Sequence, residues 1–346
     1  MSPQFISIII PCRNEGVFIS KCLDSILEQD FPKDQLEILV ADGMSTDKTR
    51  EILQAYAEKY AFIRWFDNPL KIVPTGLNIL IRQSLGQIIV RMDSHADYPR
   101  DYIAQCVYYL NERDVDNVGG LCETLPGSES FMGISVALAL SSGFGVGNSL
   151  FRTGGIKEPQ LVDTVPFGCF RREIFDKIGM FDEDLVRNQD DEFNSRIIKN
   201  GGKILLVPQI VSKYYARSSF GKLWRMYYQY GYFKPLTVLK LGGVMTWRQL
   251  IPSIFVVSLF LFGLFSFVFP VLKCMFLVEC FLYLLANFTF SFLLALKNDL
   301  FLTPFLIVSF IIIHFGYGFG YLKGIFDFIV LKKHLHNKLK DVAMSR

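Results

Sequence analysis

Residues 87–99 read QIIVRMDSHADYP. The apolar run Ile88-Ile89-Val90 ends in Asp93, His95 and Asp97. A short apolar run closed by polar residues is the pattern of a parallel strand buried on both faces. In open α/β sheets, ligands bind just beyond the carboxyl ends of such strands. Asp93, His95 and Asp97 alternate, so an extended backbone would present them on one face. Two carboxylates and an imidazole there suit a divalent cation and the phosphates it carries. They equally suit a loop whose aspartates cap the next helix, and on this stretch alone the capping loop is the simpler reading.

The flanking sequence repeats the strand-then-helix pattern. Residues 5–10 form an apolar strand ended by Pro11, and Phe18, Ile19, Cys22, Leu23, Ile26 and Leu27 then recur at helical spacing. Residues 36–41 make a second strand closed by Asp42-Gly43, with Ser45 and Asp47 as N-cap candidates for a helix over 48–60. A strand over 62–66, a helix over 75–85, a strand over 88–92, a helix over 100–112 and a strand over 118–122 follow. This alternation predicts a mainly parallel sheet covered on both faces. Residues 131–150 are apolar and broken by glycines, which suggests an interfacial or substrate-facing segment. Helices are expected over 170–178 and 190–200, and a short strand over 204–207.

Composition separates the chain into two parts. The 346 residues are 51% hydrophobic and 15% aromatic, high for a soluble protein. The excess lies late: charged residues nearly vanish over 251–331. Apolar stretches at 251–272, 274–296 and 301–322 are each long enough to cross a bilayer core, which needs about 20 helical residues. Residues 223–241 mix aromatics with Lys and Arg, as a helix lying on a bilayer would. The basic run from Lys332 to Lys340 reads as a cytoplasmic juxtamembrane anchor. Three spans, however, would leave it opposite the N-terminal part, against the positive-inside rule.

A net charge of +3 gives no nucleic-acid footprint. The seven cysteines include no C-x-x-C pair and read as reduced structural thiols, and the four scattered histidines suggest no zinc site. The opening MSPQFISIII resembles a first strand more than a signal peptide, which predicts a cytosolic N-terminal part.

Four separated blocks carry a resemblance: IIIPCRNE at 8–15, LVADGMSTDKT at 39–49, the Asp93 segment, and FDEDLVRNQDDEFNSRIIKNGGKI at 181–204. Their order and spacing resemble the GT-A domain of family 2 glycosyltransferases over most of residues 5–235. The layout, with a membrane region behind the catalytic domain, most resembles the ExoA-type succinoglycan glucosyltransferases of bacterial exopolysaccharide assembly. The resemblance implies an α/β GT-A domain (Rossmann-like, with a mainly parallel mixed sheet) followed by C-terminal transmembrane helices. The expected parts are a catalytic domain over 1–222, an interfacial segment over 223–248, about three membrane helices over 249–331 and a basic tail over 332–346.

It also implies a sugar-nucleotide donor contacted by Pro11, Arg13, Asn14, Glu15, Asp42, Lys71, Asn78 and Asp93. A guanidinium and a carboxylate at the first strand end can hydrogen-bond a uracil edge and a ribose. Asp42 and Asp47 read equally as a turn and a helix cap, and Lys71 as a plain surface lysine. Asp93 matches the first acid of the D-x-D motif, but His95 stands at the second, so Mn²⁺ or Mg²⁺ is expected on Asp93 with His95, or with Asp97 substituting. Asp190 is the expected base, with Asp191 as fallback, and Gln189 replaces the family's usual Glu. Arg196 reads as a salt-bridge or phosphate partner. Trp224, Gln229 and Tyr230 lie where processive relatives carry Q-x-x-R-W, whose Arg and Trp are missing here. They are expected at the acceptor or the membrane interface.

The implied activity is single-displacement, inverting transfer of a hexose, expected to be glucose, from a UDP-sugar to a lipid-linked saccharide. The setting is a multi-pass protein of the cytoplasmic membrane, its catalytic domain in the cytoplasm, within a polysaccharide-assembly complex. The alternatives are a polyprenyl-phosphate glycosyltransferase, a processive synthase, and a non-catalytic membrane scaffold with a degenerate nucleotide-binding domain.

Overall fold

In the first strand, β1 (Ile6–Cys12), alternate residues go to opposite sides and all are taken up by protein. Ile8 and Ile10 join one core and Ile9 joins another. The same division holds for β2 (Leu36–Asp42), with Ile38 and Val40 on one side and Leu39 and Ala41 on the other. It holds again for β4 (Ile88–Arg91), where Val90 and Ile89 part company. A strand buried on both faces must be covered by helices on both, which is why these runs are mainly apolar; the buried Ser7 and Glu37 hydrogen-bond each other. This computed structural model describes residues 4–243 and 247–336; residues 337–340 of the basic run, and the rest of the expected tail beyond them, lie outside that range.

Helices α1 (Ile19–Leu27) and α4 (Tyr102–Glu112) supply Leu23, Ile26, Ile103 and Cys106 to the first core. Helices α3 (Val73–Gln83), α8 (Glu173–Ile178) and α9 (Gln189–Lys199) supply Leu77, Leu80, Phe175 and Phe193 to the second. Helix α2 (Thr49–Lys59) adds Leu53 to the first core. Strand β3 (Ile63–Asp67) pairs parallel to β2, and β1 pairs parallel to both β2 and β4.

Beyond β4 the sheet turns antiparallel. The other strands are β5 (Ala96–Asp97), β6 (Asn117–Leu125), β7 (Gln160–Leu161), β8 (Cys169–Arg171) and β9 (Ile204–Tyr215). The order is β3-β2-β1-β4-β8-β6-β9-β5, with β7 also on β9. The sheet is thus mixed. The helix expected over 170–178 is instead strand β8 followed by α8, because Phe170 is needed as an antiparallel partner of Ile89. The strand expected to stop at Val207 runs through Pro208 to Tyr215.

Phe193 is fully buried and packs on Phe175, Phe181 and Phe170, with ring centroids 5.1, 4.6 and 5.5 Å away. It anchors α9. Phe193→Ala is expected to destabilise this unit by about 3–5 kcal/mol, read from denaturant unfolding followed at Trp65. An unchanged midpoint would show that α9 is held elsewhere.

The chain divides into two compact units, Met1–Glu123 with Leu150–Tyr214, and Thr124–Ser149 with Tyr215–Arg346. Residues 124–149 therefore leave the first unit, and the expected boundary at 222 falls inside a helix. The second unit contains α5 (Phe131–Leu140), α6 (Gly143–Val146), α10 (Phe220–Leu241), α11 (Ile251–Phe265), α12 (Pro270–Leu296) and α13 (Thr303–Gly324), the last continuing into a π-helical turn, Ile325–Val330. A short helix α7 (Leu150–Thr153) opens the return to the first unit.

Helix α10 is not the bare amphipathic helix expected. Leu223, Met226, Tyr232, Phe233 and Leu236 are buried, and its backbone meets that of α13 closely. A Cβ on Gly231 would collide with the Tyr317 carbonyl, and one on Gly320 with that of Tyr228. Gly316, Gly320 and Gly324 recur every fourth residue, the small-xxx-small spacing that lets apolar helices approach.

Two helices, Pro270–Leu296 and Leu300–Val330, are long and apolar enough to cross a membrane. The first expected stretch is interrupted: α11 has 15 residues, and Pro270 opens the next helix. At about 1.5 Å per residue α11 falls short of a bilayer core. All seven cysteines are free thiols.

Candidate active site

Because β1 to β4 are parallel, their carboxyl ends gather on one edge: Cys12 stands beside Asp42, and Asp42 beside Asp67. The loop after β1 is laced to the loop after β2. Asn14, in the left-handed region at φ 54°, donates its N–H to Ser45 Oγ at 2.8 Å, and its Oδ1 accepts from Thr46 N at 2.9 Å. Glu15 N donates to Thr49 Oγ1 at 2.8 Å, and Gly16 N to Asp47 Oδ2 at 3.0 Å. Asp47 also accepts from Thr49 N, so it braces the turn before α2, whose N-cap is Lys48 rather than Asp47 or Ser45. Arg13 runs along Gly43, where a Cβ would sit 3.1 Å from the arginine's own.

Three of the expected donor contacts lie as follows in the fold. Asp42 is fully buried; it accepts from Ser45 N at 3.0 Å and from Ser45 Oγ, with Arg50 3.4 Å away, so its carboxylate organises the loop rather than facing the open end. Asn78 is buried too. Its amide donates to Phe181 O and Glu183 Oε1, both at 2.8 Å, and its oxygen accepts from Phe181 N, which ties α3 to the 181–183 loop. Lys71 is an exposed residue in the turn after β3, at φ 63°.

The alternation of Asp93, His95 and Asp97 does not survive folding. Strand β4 ends at Arg91, and Ala96 N donates to Asp93 O at 3.3 Å, closing a turn. The extended backbone that would align the three side chains is therefore absent. Asp97 pairs with Lys21 at 2.6 Å. His95 lies with Nδ1 4.0 Å from the Glu15 carboxylate and its ring edge against Tyr214. Among the described residues no group of three His, Cys, Asp or Glu side chains is placed to hold a metal ion. Asp93, His95 and Asp97 thus do not form one three-ligand cluster here.

What the fold does bring together is Asp93 and Asp190. Arg91, whose side chain is 8% exposed, binds Asp190 Oδ1 through Nη1 and Asp93 Oδ1 through Nη2 at 3.2 Å. Asp190 and Asp191 lie in the first turn of α9, after Asn188 in the left-handed region at φ 64°. Burial alone would weaken the Arg91 charge, but Asp190 and then Asp93 more than restore it. Desolvation raises the Asp190 carboxyl above its ordinary value; Arg91 pulls against this, while Asp93 and Asp191 add to it. The side chain is still 40% exposed, so solvent limits the rise.

Beneath Asp93, its N–H donates to Tyr98 Oη at 2.7 Å, and Cys22 Sγ donates to its carbonyl. Burial pushes both the Cys22 thiol and the Tyr98 hydroxyl well up, with the Asp93 charge adding, so both stay protonated. Gly168, at φ 52°, accepts from Arg91 N at 3.0 Å; a Cβ there would strike the Phe170 ring.

Gln189 is buried. Arg196 takes the salt-bridge role: its Nε and Nη2 reach Glu192 at 2.5 and 2.8 Å, and Nη1 caps the Ile178 carbonyl. Within the second unit, Gln229 is buried in α10, Tyr230 packs on Tyr227, and Trp224 is partly exposed beside Phe319. Arg91 is the residue that sequence reading passed over. Its signal was a charge closing an otherwise apolar run.

The description "Glycosyl transferase family 2" matches residues 7–179. A Methanococcus voltae protein, "Dolichyl N-acetyl-alpha-D-glucosaminyl phosphate 3-beta-D-2,3-diacetamido-2,3-dideoxy-beta-D-glucuronosyltransferase", is 32% identical over 68% of this chain and 75% of its own length. The "Succinoglycan biosynthesis protein ExoA" of Rhizobium meliloti is 29% identical over 71% of this chain and 73% of its own. Among solved structures, a Pyrobaculum calidifontis mannosyltransferase, described in complex with GDP-Man and Mn²⁺, superposes with a TM-score of 0.57 at 19% identity, over 89% of this chain and 86% of that one. At that identity the superposition shows the fold alone, and that fold is GT-A. With a family match over half its length and the Methanococcus relative over two thirds, the chain belongs to glycosyl transferase family 2 and is a glycosyltransferase.

Proposed function

We propose that this glycosyltransferase moves one hexose from a UDP-sugar to a lipid-linked saccharide, with inversion, at the cytoplasmic face of a membrane. The observation that carries the reading is the pairing of Asp190 with Asp93 through one guanidinium at the carboxyl edge of the sheet. One carboxylate can serve the acceptor and the other the donor diphosphate. The lipid-linked acceptor is supported by the dolichyl-phosphate-linked substrate in the Methanococcus relative's name, and the hexose and exopolysaccharide setting by the succinoglycan protein.

In this mechanism Arg13, Asn14 and Glu15 hold the nucleoside at the end of β1. The acceptor hydroxyl attacks the anomeric carbon as Asp190 takes its proton, and the bond to the diphosphate breaks on the opposite side. One displacement with one base inverts the centre. Of the residues first expected to hold a cation, Asp93 would serve as an oxygen ligand just beyond a strand end. Donor phosphates and water would complete such a shell, and the cation would neutralise charge on the leaving diphosphate.

The second unit is the membrane part. Two crossings, Pro270–Leu296 and Leu300–Val330, return the chain to the side it left, so Lys332 and Lys333 stay with the catalytic unit. The conflict with the positive-inside rule then disappears.

Membranes carrying the full chain are expected to transfer label from one of UDP-glucose, UDP-galactose, UDP-N-acetylglucosamine or UDP-glucuronate into extractable lipid. The assay is run with and without Mn²⁺ or Mg²⁺. GDP-mannose is the control, because a mannosyltransferase shares the fold. Labelling from GDP-mannose alone would overturn the UDP assignment, and no labelled lipid under either metal would overturn the activity.

A further inference from the structure

We propose that Arg91 is the positioning residue of the base: one buried guanidinium that holds Asp190 through Nη1 and Asp93 through Nη2, and so fixes the proton acceptor relative to the donor-diphosphate end of the site. The inference rests on Asp190 being the base.

The backbone of Arg91 is fixed before its side chain is considered. It closes β4, which lies between β1 and β8, and its N–H is taken by Gly168 O at 3.0 Å. The side chain is nearly closed to solvent, so the guanidinium needs carboxylate partners where it stands. It finds them on two elements, Asp93 in the turn after β4 and Asp190 at the start of α9, 99 residues away in sequence.

Asp190 lacks any comparable restraint within its own helix. Glu192, on the same turn, is engaged by Arg196, and the Asp190 side chain is 40% exposed. Without the guanidinium its carboxylate would turn towards water. Arginine suits the task because its nitrogens are coplanar and rigidly spaced, so binding two carboxylates sets their mutual orientation. A lysine has one nitrogen and sets neither.

During transfer the acceptor hydroxyl oxygen forms a bond to the anomeric carbon, and its proton passes to Asp190 Oδ2. The carbon–oxygen bond to the β-phosphate breaks, and its electron pair leaves with the diphosphate. Arg91 engages Oδ1 of Asp190, which leaves Oδ2 for the proton. The same guanidinium holds Asp93, on the side of the leaving diphosphate in the proposed mechanism. Arg91 exchanges no proton; it acts through the two carboxylates.

The test uses the full chain in detergent with radiolabelled UDP-glucose, UDP-galactose, UDP-N-acetylglucosamine and UDP-glucuronate as donors, and calorimetric titration with UDP. Arg91→Lys is expected to lower kcat by about 10²-fold, the scale of a 1 Å misplacement. Donor KM and UDP affinity should hold. Because part of the Arg91 effect runs through Asp190, Arg91→Lys combined with Asp190→Asn should lose clearly less than the product of the two single losses. A residue that merely supports the fold would instead add its loss to that of Asp190→Asn and weaken UDP binding.

Wild-type kcat in Arg91→Lys, a loss confined to KM, or an additive loss in the double variant overturns the proposal. Should Arg91→Lys fail to fold, Asp190→Glu decides. It keeps a carboxylate but shifts it by one methylene, so a similar fall supports positioning and wild-type kcat overturns it. Full turnover in Asp190→Asn would remove the base assignment, and the proposal with it. Loss in Asp190→Asn with wild-type Arg91→Lys refutes this proposal alone.

Discussion

Asp190→Asn is expected to lower turnover by about 10²–10⁴-fold, the contribution of a positioned general base, while leaving UDP binding intact. The change is nearly isosteric. An asparagine oxygen still accepts from Arg91 Nη1, so α9 stays docked through Arg91 as well as through Phe193. What is lost is the ability to take a proton. The pH dependence is a second signature. Desolvation raises the Asp190 carboxyl above its ordinary value despite Arg91, and the active form is the ionised one. The wild-type rate should therefore fall on the acid side as pH drops through this raised pKa, at a higher pH than an unperturbed aspartate would show. Asp190→Asn should have no such limb. Wild-type turnover in the variant would move the base to Asp191, the neighbouring carboxylate on the same helical turn, and Asp191→Asn would then carry the loss.

The parts of this arrangement legible in sequence are those set by local pattern. Parallel strands buried on both faces announce themselves as apolar runs, so β1, β2 and β4 and the turn residues after them were readable. The acids at the start of α9 were readable because helix starts favour them. The antiparallel half was harder. Pro208 reads as a strand stop, yet β9 continues beyond it, and Ile210, Ser212 and Tyr214 alternate inward to Tyr215. Phe170 reads as a helix residue until its partner Ile89 is known.

Side-chain partners were least legible where they are remote in sequence. Asn78 sits near the right strand ends, but its amide is consumed by residues 181 and 183. Arg91 drew no reading from the sequence because its partner Asp190 is far along the chain. The Gly316-Gly320-Gly324 spacing was in plain view. Its meaning depends on a partner helix, and α10 was taken for a surface helix on its aromatic and basic content.

Asp93→Asn is the second change expected to act strongly, with a loss of about 10²–10³-fold in kcat, the scale of removing one preorganised electrostatic group from a transition state. The fold should tolerate it, because the bonds that seat residue 93 come from its backbone: the N–H to Tyr98 Oη and the carbonyl from Cys22 Sγ. Only the charge goes. That charge faces Arg91 now, and in the proposed mechanism it meets the cation that carries the donor diphosphate. UDP affinity measured with Mn²⁺ should therefore fall in Asp93→Asn, and UDP affinity without metal should not. Asp97→Asn supplies the contrast. Its carboxylate is drawn to Lys21 at 2.6 Å and is not joined to Asp93 and Asp190 by Arg91, so metal-dependent UDP binding should persist. If Asp97→Asn abolished that binding and Asp93→Asn spared it, the turn at 93–96 would have to open on binding donor, and the alternation read from the sequence would describe the loaded site after all.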